Sequence, residues 1–187
     1  DPRSRASFFG LRPTSDRVTF VLDHSGSMST ALGTRSISRY DEAISQMVRY
    51  LQASGTDTRF NVILFDSDTL RSSAELVVAS PENVELARAS LLSRPPEGGT
   101  CLEPAVRLAL CVGANGEVDM DALTADTIIV LCDGENVEGH LWVAPLLARV
   151  QVEAQVRFHC VQVGGSGGRA LRELAALSGG EFIRVDG

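Results

Sequence analysis

The sequence predicts an α/β fold: an open, mostly parallel, doubly wound sheet of about six strands, one of them a short antiparallel edge strand, with helices on both faces. Two observations carry this. Short apolar runs rich in β-branched and aromatic residues alternate along the chain with segments of helical period. Several of those runs are also nearly unbroken in apolar character, as strands covered on both faces are. The 187 residues suit one such domain, residues 17–187, after a lead-in segment, residues 1–16.

The elements follow in order. Residues 18–22 form an apolar run that ends in Asp23, residues 60–65 one that ends in Asp66, and residues 127–132 one that ends in Asp133. Residues 156–163 run into a glycine cluster, and residues 182–185 close the chain. Between the strands, Tyr40, Ile44, Met47 and Leu51 share a helical face. Ser80-Pro81 reads as the N-cap and first turn of a second helix with Val84, Ala87 and Leu91 inward. Leu102, Val106, Ala109 and Leu110 mark a third. Leu146, Leu147 and Val150 mark a fourth, which starts near Trp142 or Pro145 and ends near Glu153. Leu171, Leu174 and Ala175 mark a fifth, closed by Gly179-Gly180. Residues 69–78 follow a strand too closely for a crossover helix and read as the antiparallel edge strand plus a loop. Phe8, Phe9 and Leu11 are the groups in the lead-in able to pin it to the body.

Composition excludes several functions. The net charge is −7, and the seventeen basic residues, all Arg, are scattered, so no basic patch for nucleic acid is expected. No apolar stretch is long enough to span a membrane. The polar, Arg-bearing start lacks the apolar core of a signal peptide. The chain begins at Asp1 rather than Met, so it is expected to be part of a larger protein. Its compartment stays open, an extracytoplasmic or membrane-tethered setting included. Cys101, Cys111, Cys132 and Cys160 form no C-x-x-C pair. Cys132 and Cys160 lie inside apolar runs as buried thiols do, and the helix between Cys101 and Cys111 holds those two too far apart to bridge.

The chemistry gathers at strand ends, where open α/β sheets place their sites. The first strand runs into Asp23-His24-Ser25-Gly26-Ser27. The loop Glu97-Gly98-Gly99-Thr100 precedes the third helix, and the fourth strand, counting the short edge strand, leads into Asp133-Gly134-Glu135-Asn136. Two carboxylates on neighbouring strand ends repel unless a cation lies between them. With the hydroxyls of Ser25, Ser27 and Thr100 they form an all-oxygen set suited to a hard ion: Mg²⁺ first, Mn²⁺ or Ca²⁺ as alternatives. With only two formal negative charges and an exchangeable position, such an ion stays open to a carboxylate from outside.

This arrangement resembles the von Willebrand factor type A family and the integrin inserted domains. The match rests on the D-x-S-x-S run Asp23 to Ser27 followed by Met28, on Thr100 after two glycines, and on Asp133 in a strand-end Asp-Gly; it covers residues 17–187. The resemblance implies a Rossmann-like fold and a metal-ion-dependent adhesion site. In that site Ser25, Ser27 and Thr100 touch the ion, while Asp23 and Asp133 act through water or hydrogen bonds. It implies a non-enzymatic adhesion or assembly module that binds an Asp or Glu of a protein partner. His24, Arg35, Arg39, Glu135 and Asn136 are expected on the rim.

Other readings attach to the same residues. Asp66 and Asp68 are expected to serve a turn. Residues 164–168 spell G-x-S-x-G around Ser166, but His24, His140 and His159 all precede that serine, the wrong order for a hydrolase elbow, so a flexible glycine turn is expected. A Mg²⁺-dependent phosphatase would want a carboxylate where Ser25 stands. A metal-free scaffold subunit of a larger complex is the third alternative. His159 is expected in the core or on a sheet face, and Trp142 in helix packing.

Overall fold

A computed structural model of the chain describes residues 6–134 and 136–186. The order is β1 (Arg17–Asp23), a 3₁₀ turn (Gly26–Ser29), α1 (Arg39–Ser54), β2 (Arg59–Phe65), β3 (Thr69–Arg71), β4 (Val77–Val78), α2 (Pro81–Leu92), α3 (Leu102–Ala109), β5 (Thr127–Cys132), α4 (Val143–Glu153), β6 (Arg157–Val163), α5 (Arg169–Ser178) and β7 (Phe182–Val185). The sheet runs β3-β2-β1-β5-β6-β7, with β4 also on β2. The five long or closing strands β2, β1, β5, β6 and β7 are parallel, while β3 and β4 are antiparallel to β2. The expected single edge strand is therefore two short pieces on one edge. They are separated because Asn61 turns its amide out to the carbonyls of Ser73 and Glu75 and occupies the stretch between them.

The unbroken apolar runs behave as both-faced burial requires: six of seven residues in β1, β2 and β6, and all six in β5, are buried. One core packs Phe20 and Leu22 against Tyr40, Ile44, Met47 and Leu51 of α1 and Val84 and Leu91 of α2. The other packs Val21, Ile128 and Val130 against α3, α4 and α5. Phe8 and Leu11 of the lead-in are buried in the first core, the Phe8 ring 5.5 Å from that of Phe20. The caps sit where the side chains predict. Ser38 and Ser80 accept from the backbone N–H of Asp41 and Asn83, and Gly179 ends α5 in the left-handed region. Among the described residues no helix is long and apolar enough to cross a membrane.

Strand β1 lies between β2 and β5, so the connections from the two sides of the sheet diverge at its carboxyl end. Asp23 and Asp133 are placed at that switch point.

Candidate metal centre

The two aspartates face each other across neighbouring strand ends, and both are buried. Asp23 uses both oxygens on backbone: Oδ1 accepts from Ser25 N–H at 2.8 Å and Oδ2 from Asp133 N–H at 3.3 Å. The Ser25 and Ser27 hydroxyls are 3.1 Å apart. Asp23 and Ser25 are buried and Ser27 is exposed, so the set leads from the sheet interior to solvent. Thr100 enters by a different route. Its loop is tied to the first through Gly26 N–H donating to Gly98 carbonyl at 3.3 Å. Its own carbonyl accepts from Val137 N–H at 3.0 Å, which ties it to the loop after Asp133. Among the described residues the Thr100 side chain hydrogen-bonds to none of the other four.

Burial drives the Asp23 carboxyl above its ordinary value; the hydrogen bonds from Ser25 oppose the rise and the Asp133 charge adds to it. A cation between the two carboxylates would remove that penalty, so the donor set fits a divalent ion. An all-oxygen set made of Asp23, Asp133, Ser25, Ser27 and Thr100 would favour a hard one. Sequence reasoning missed one neighbour: a carboxylate oxygen of Asp23, one of Asp133 and the Cys132 sulfur all lie within 4.8 Å of one another. Its position as the last strand residue before Asp-Gly was the available signal. Burial pushes that thiol well up, with Asp23 adding to the rise, so Cys132 stays protonated and donates to Asp23.

The rim differs from expectation. His24 is buried rather than displayed. Its Nδ1 pairs with Asp66 Oδ2 at 3.0 Å and its Nε2 lies 3.3 Å from Arg94 carbonyl. The cause is local: His24 N–H donates to Phe65 carbonyl at 2.7 Å, which continues the β1–β2 ladder and turns the ring toward β2. Arg39 is not a free rim charge either, since Nη1 is 3.3 Å from Asp133 Oδ2. Arg35 does stay exposed, 3.8 Å from Glu42. Asn136 braces its own loop by donating to Gly139 carbonyl and Glu138. Glu135 lies outside the described residues.

Asp66 serves a turn, as expected, by accepting from Asp68 N–H at 2.9 Å, and additionally anchors His24. Burial alone would raise the Asp66 carboxyl. The His24 hydrogen bond, aided by the Asp68 and Ser67 N–H groups, outweighs this and holds it below its ordinary value. A carboxyl lowered on folding adds stability above its unfolded pKa and loses it as pH falls through the lower folded one. The advantage of the native protein over Asp66→Asn is therefore expected at neutral pH and should shrink below about pH 4. Urea unfolding of both proteins from about pH 6 to about pH 3 checks this; a constant difference would contradict it.

The glycine cluster after β6 is not a loose turn. A Cβ on Gly165 would collide with Asp133 carbonyl, and one on Gly164 would sit 2.8 Å from Arg39 Cζ. The loop thus presses on the site from the α5 side, and Ser166 carbonyl lies against Gly134. His140 is held by Glu173 at 3.1 Å, and His159 is buried in β6, as expected of a core or sheet-face residue. Trp142 packs against the second core with its indole N–H on Gly139 carbonyl.

Cys132 and Cys160 are buried, and burial raises both thiols; Cys101 and Cys111 are half-buried. Titration with an aromatic disulfide is expected to modify Cys101 and Cys111 in the folded protein, and the other two only after unfolding.

The profile of the von Willebrand factor type A domain matches residues 16–182. Inter-alpha-trypsin inhibitor heavy chain H4 of Homo sapiens is 30% identical over 179 residues, 94% of this chain and 18% of that protein. The Sus scrofa H4 chain is 31% identical over 171 residues, 89% of this chain and 18% of that protein. The chain therefore spans under a fifth of the length of these relatives. Among solved structures, the von Willebrand factor type A protein from Catenulispora acidiphila aligns with a TM-score of 0.72 over 90% of this chain and 38% of that one, at 17% identity. Proximal thread matrix protein 1 from the mussel byssus, solved with a zinc-occupied MIDAS motif, aligns with a TM-score of 0.62 over 90% and 41%, at 18% identity. These two likenesses speak for the fold. The profile match over most of the chain, with the heavy-chain similarity, decides the family: this chain belongs to the von Willebrand factor type A domain family.

Proposed function

We propose that this domain is a metal-dependent protein-binding module, in which one divalent cation held by Asp23, Ser25, Ser27, Thr100 and Asp133 takes an Asp or Glu carboxylate of a partner. The carrying observation is the pair of buried carboxylates at the sheet switch point, opening outward through Ser25 to exposed Ser27. Mg²⁺ is the ion that the oxygen set suits best. The zinc-occupied motif of the byssus protein supports a metal at this place in the fold, and the Cys132 sulfur makes zinc the competitor to test. When bound, the ion supplies an electrophilic centre. The chain's own work is to hold two carboxylates in place with backbone N–H groups and to expose two hydroxyls.

The reading is of binding, not turnover. His24 and His140 are engaged by Asp66 and Glu173, which leaves neither as a ready general base beside the aspartates. Calorimetric titration with Mg²⁺, Mn²⁺ and Zn²⁺ tests the proposal. One ion should bind per chain, with loss in Ser27→Ala, an exposed change that spares the core, and in Asp133→Ala. Binding of no ion would overturn the reading in favour of a scaffold. Mg²⁺-dependent hydrolysis of p-nitrophenyl phosphate, lost in Ser27→Ala, would replace it with a hydrolase.

A further inference from the structure

Arg39 is the first residue of α1 and is fixed at three points. Its backbone N–H donates to Thr30 carbonyl at 2.9 Å, its guanidinium lies over Gly164, and Nη1 meets Asp133 Oδ2 at 3.3 Å. The side chain is only 18% exposed, and its buried Nε has no hydrogen-bond partner among the described residues. Asp133 is the carboxylate this guanidinium meets among the described residues. A half-buried, weakly hydrated cation set against a proposed metal ligand is not a neutral spectator.

The charges have a definite consequence. Two carboxylates cancel the two charges of a divalent ion, and Arg39 then leaves the loaded site with one positive charge over. A partner carboxylate would neutralise it. Without Arg39 the loaded site is already neutral and gains less from an anion. We infer that Arg39 is a specificity-determining residue of the metal site: the guanidinium on Asp133 weakens metal binding and strengthens capture of a carboxylate by the bound ion. This rests on the metal-binding reading above and deepens it, since it assigns to one residue the preference for an anionic ligand.

The signature is a pair of opposite effects, which simple damage to the site would not produce. The probes are Mn²⁺ alone, by calorimetry, and then glutarate, by paramagnetic broadening of its proton resonances on the Mn²⁺-loaded protein. Arg39→Gln is expected to bind Mn²⁺ about tenfold more tightly and glutarate about tenfold more weakly than the native protein, the order of effect of one charge a few ångströms away in a partly buried site. Arg39→Lys, which restores the charge without the planar fork, should recover most of both affinities. Thermal melts show whether each variant is folded. Both affinities falling in Arg39→Gln, or Mn²⁺ tightening with glutarate unchanged, would overturn the role of Arg39 while leaving the metal site standing. A native protein that binds no Mn²⁺ would overturn both.

Discussion

Saturating Mg²⁺ is expected to raise the unfolding midpoint of this domain by about 5–10 °C, and a chelator to reverse the shift. A ligand that binds only the folded state adds about 2.7 kcal/mol at a hundred times its dissociation constant. A domain of this size gains about 2–4 °C for each kcal/mol. The physical source is specific. Folding carries Asp23 and Asp133 into adjacent buried positions, where burial and mutual repulsion hold the Asp23 carboxyl above its ordinary value. An ion between them reverses the sign of that interaction. Ser27→Ala should melt near the native midpoint in chelator yet gain little from Mg²⁺, because it removes a ligand from the exposed end of the set. Scanning calorimetry with and without ion is the measurement. A midpoint indifferent to Mg²⁺, Mn²⁺ and Zn²⁺ alike would sink the metal site.

Gly165→Ala is the second large effect expected. Gly165 has φ +61°, and a Cβ there would enter the space held by Asp133 carbonyl. The backbone conformation alone costs an alanine about 1–2 kcal/mol. Overpacking against a buried main chain adds about 1–3 kcal/mol. The sum corresponds to a midpoint lowered by roughly 5–15 °C. Gly179, at φ +73° and ψ 24°, has open space around it, so Gly179→Ala carries only the conformational part, about 1–2 kcal/mol, and serves as the control. Since Asp133 must move to admit the new methyl, Gly165→Ala should also blunt the Mg²⁺ response, whereas Gly179→Ala should keep it. Equal destabilisation of the two variants would show that the collision is relieved elsewhere.

Much of the fold was legible because its signals are local. The apolar runs leading to Asp23, Asp66 and Asp133 gave strands, Ser80-Pro81 a helix start, and Gly179-Gly180 a helix end. What escaped depended on contacts between distant segments. Val77–Val78 is too short to carry a period, so β4 was not separable from the loop around it. His24 occupies a variable position in D-x-S-x-S, and nothing in that run says that Asp66, forty-two residues on, will draw the ring inward. Residues 164–168 resemble a slack connection in composition, yet the missing side chains of Gly164 and Gly165 are what let Arg39 and Asp133 approach. Arg39 had the right neighbourhood in sequence terms and the wrong role, because the reach of a long side chain over the sheet pole is not encoded in spacing. Of the five proposed ligands, Asp23, Ser25, Ser27 and Asp133 stand at or just after strand ends and are joined by hydrogen bonds, while Thr100 lies in a loop before a helix and its backbone meets Val137 rather than any of those four.

The way the sheet finishes limits how another protein can take hold. One border is broken into a three-residue rung and a two-residue rung, and the other is a four-residue strand bearing Arg184, tied to Asp186 and to Gly165 carbonyl. Neither offers the long, unoccupied row of main-chain donors and acceptors that strand addition needs. Strand addition is thereby disfavoured as a route to the proposed partner, and stacking of copies edge to edge, the usual hazard of an open sheet, is discouraged by the same two borders.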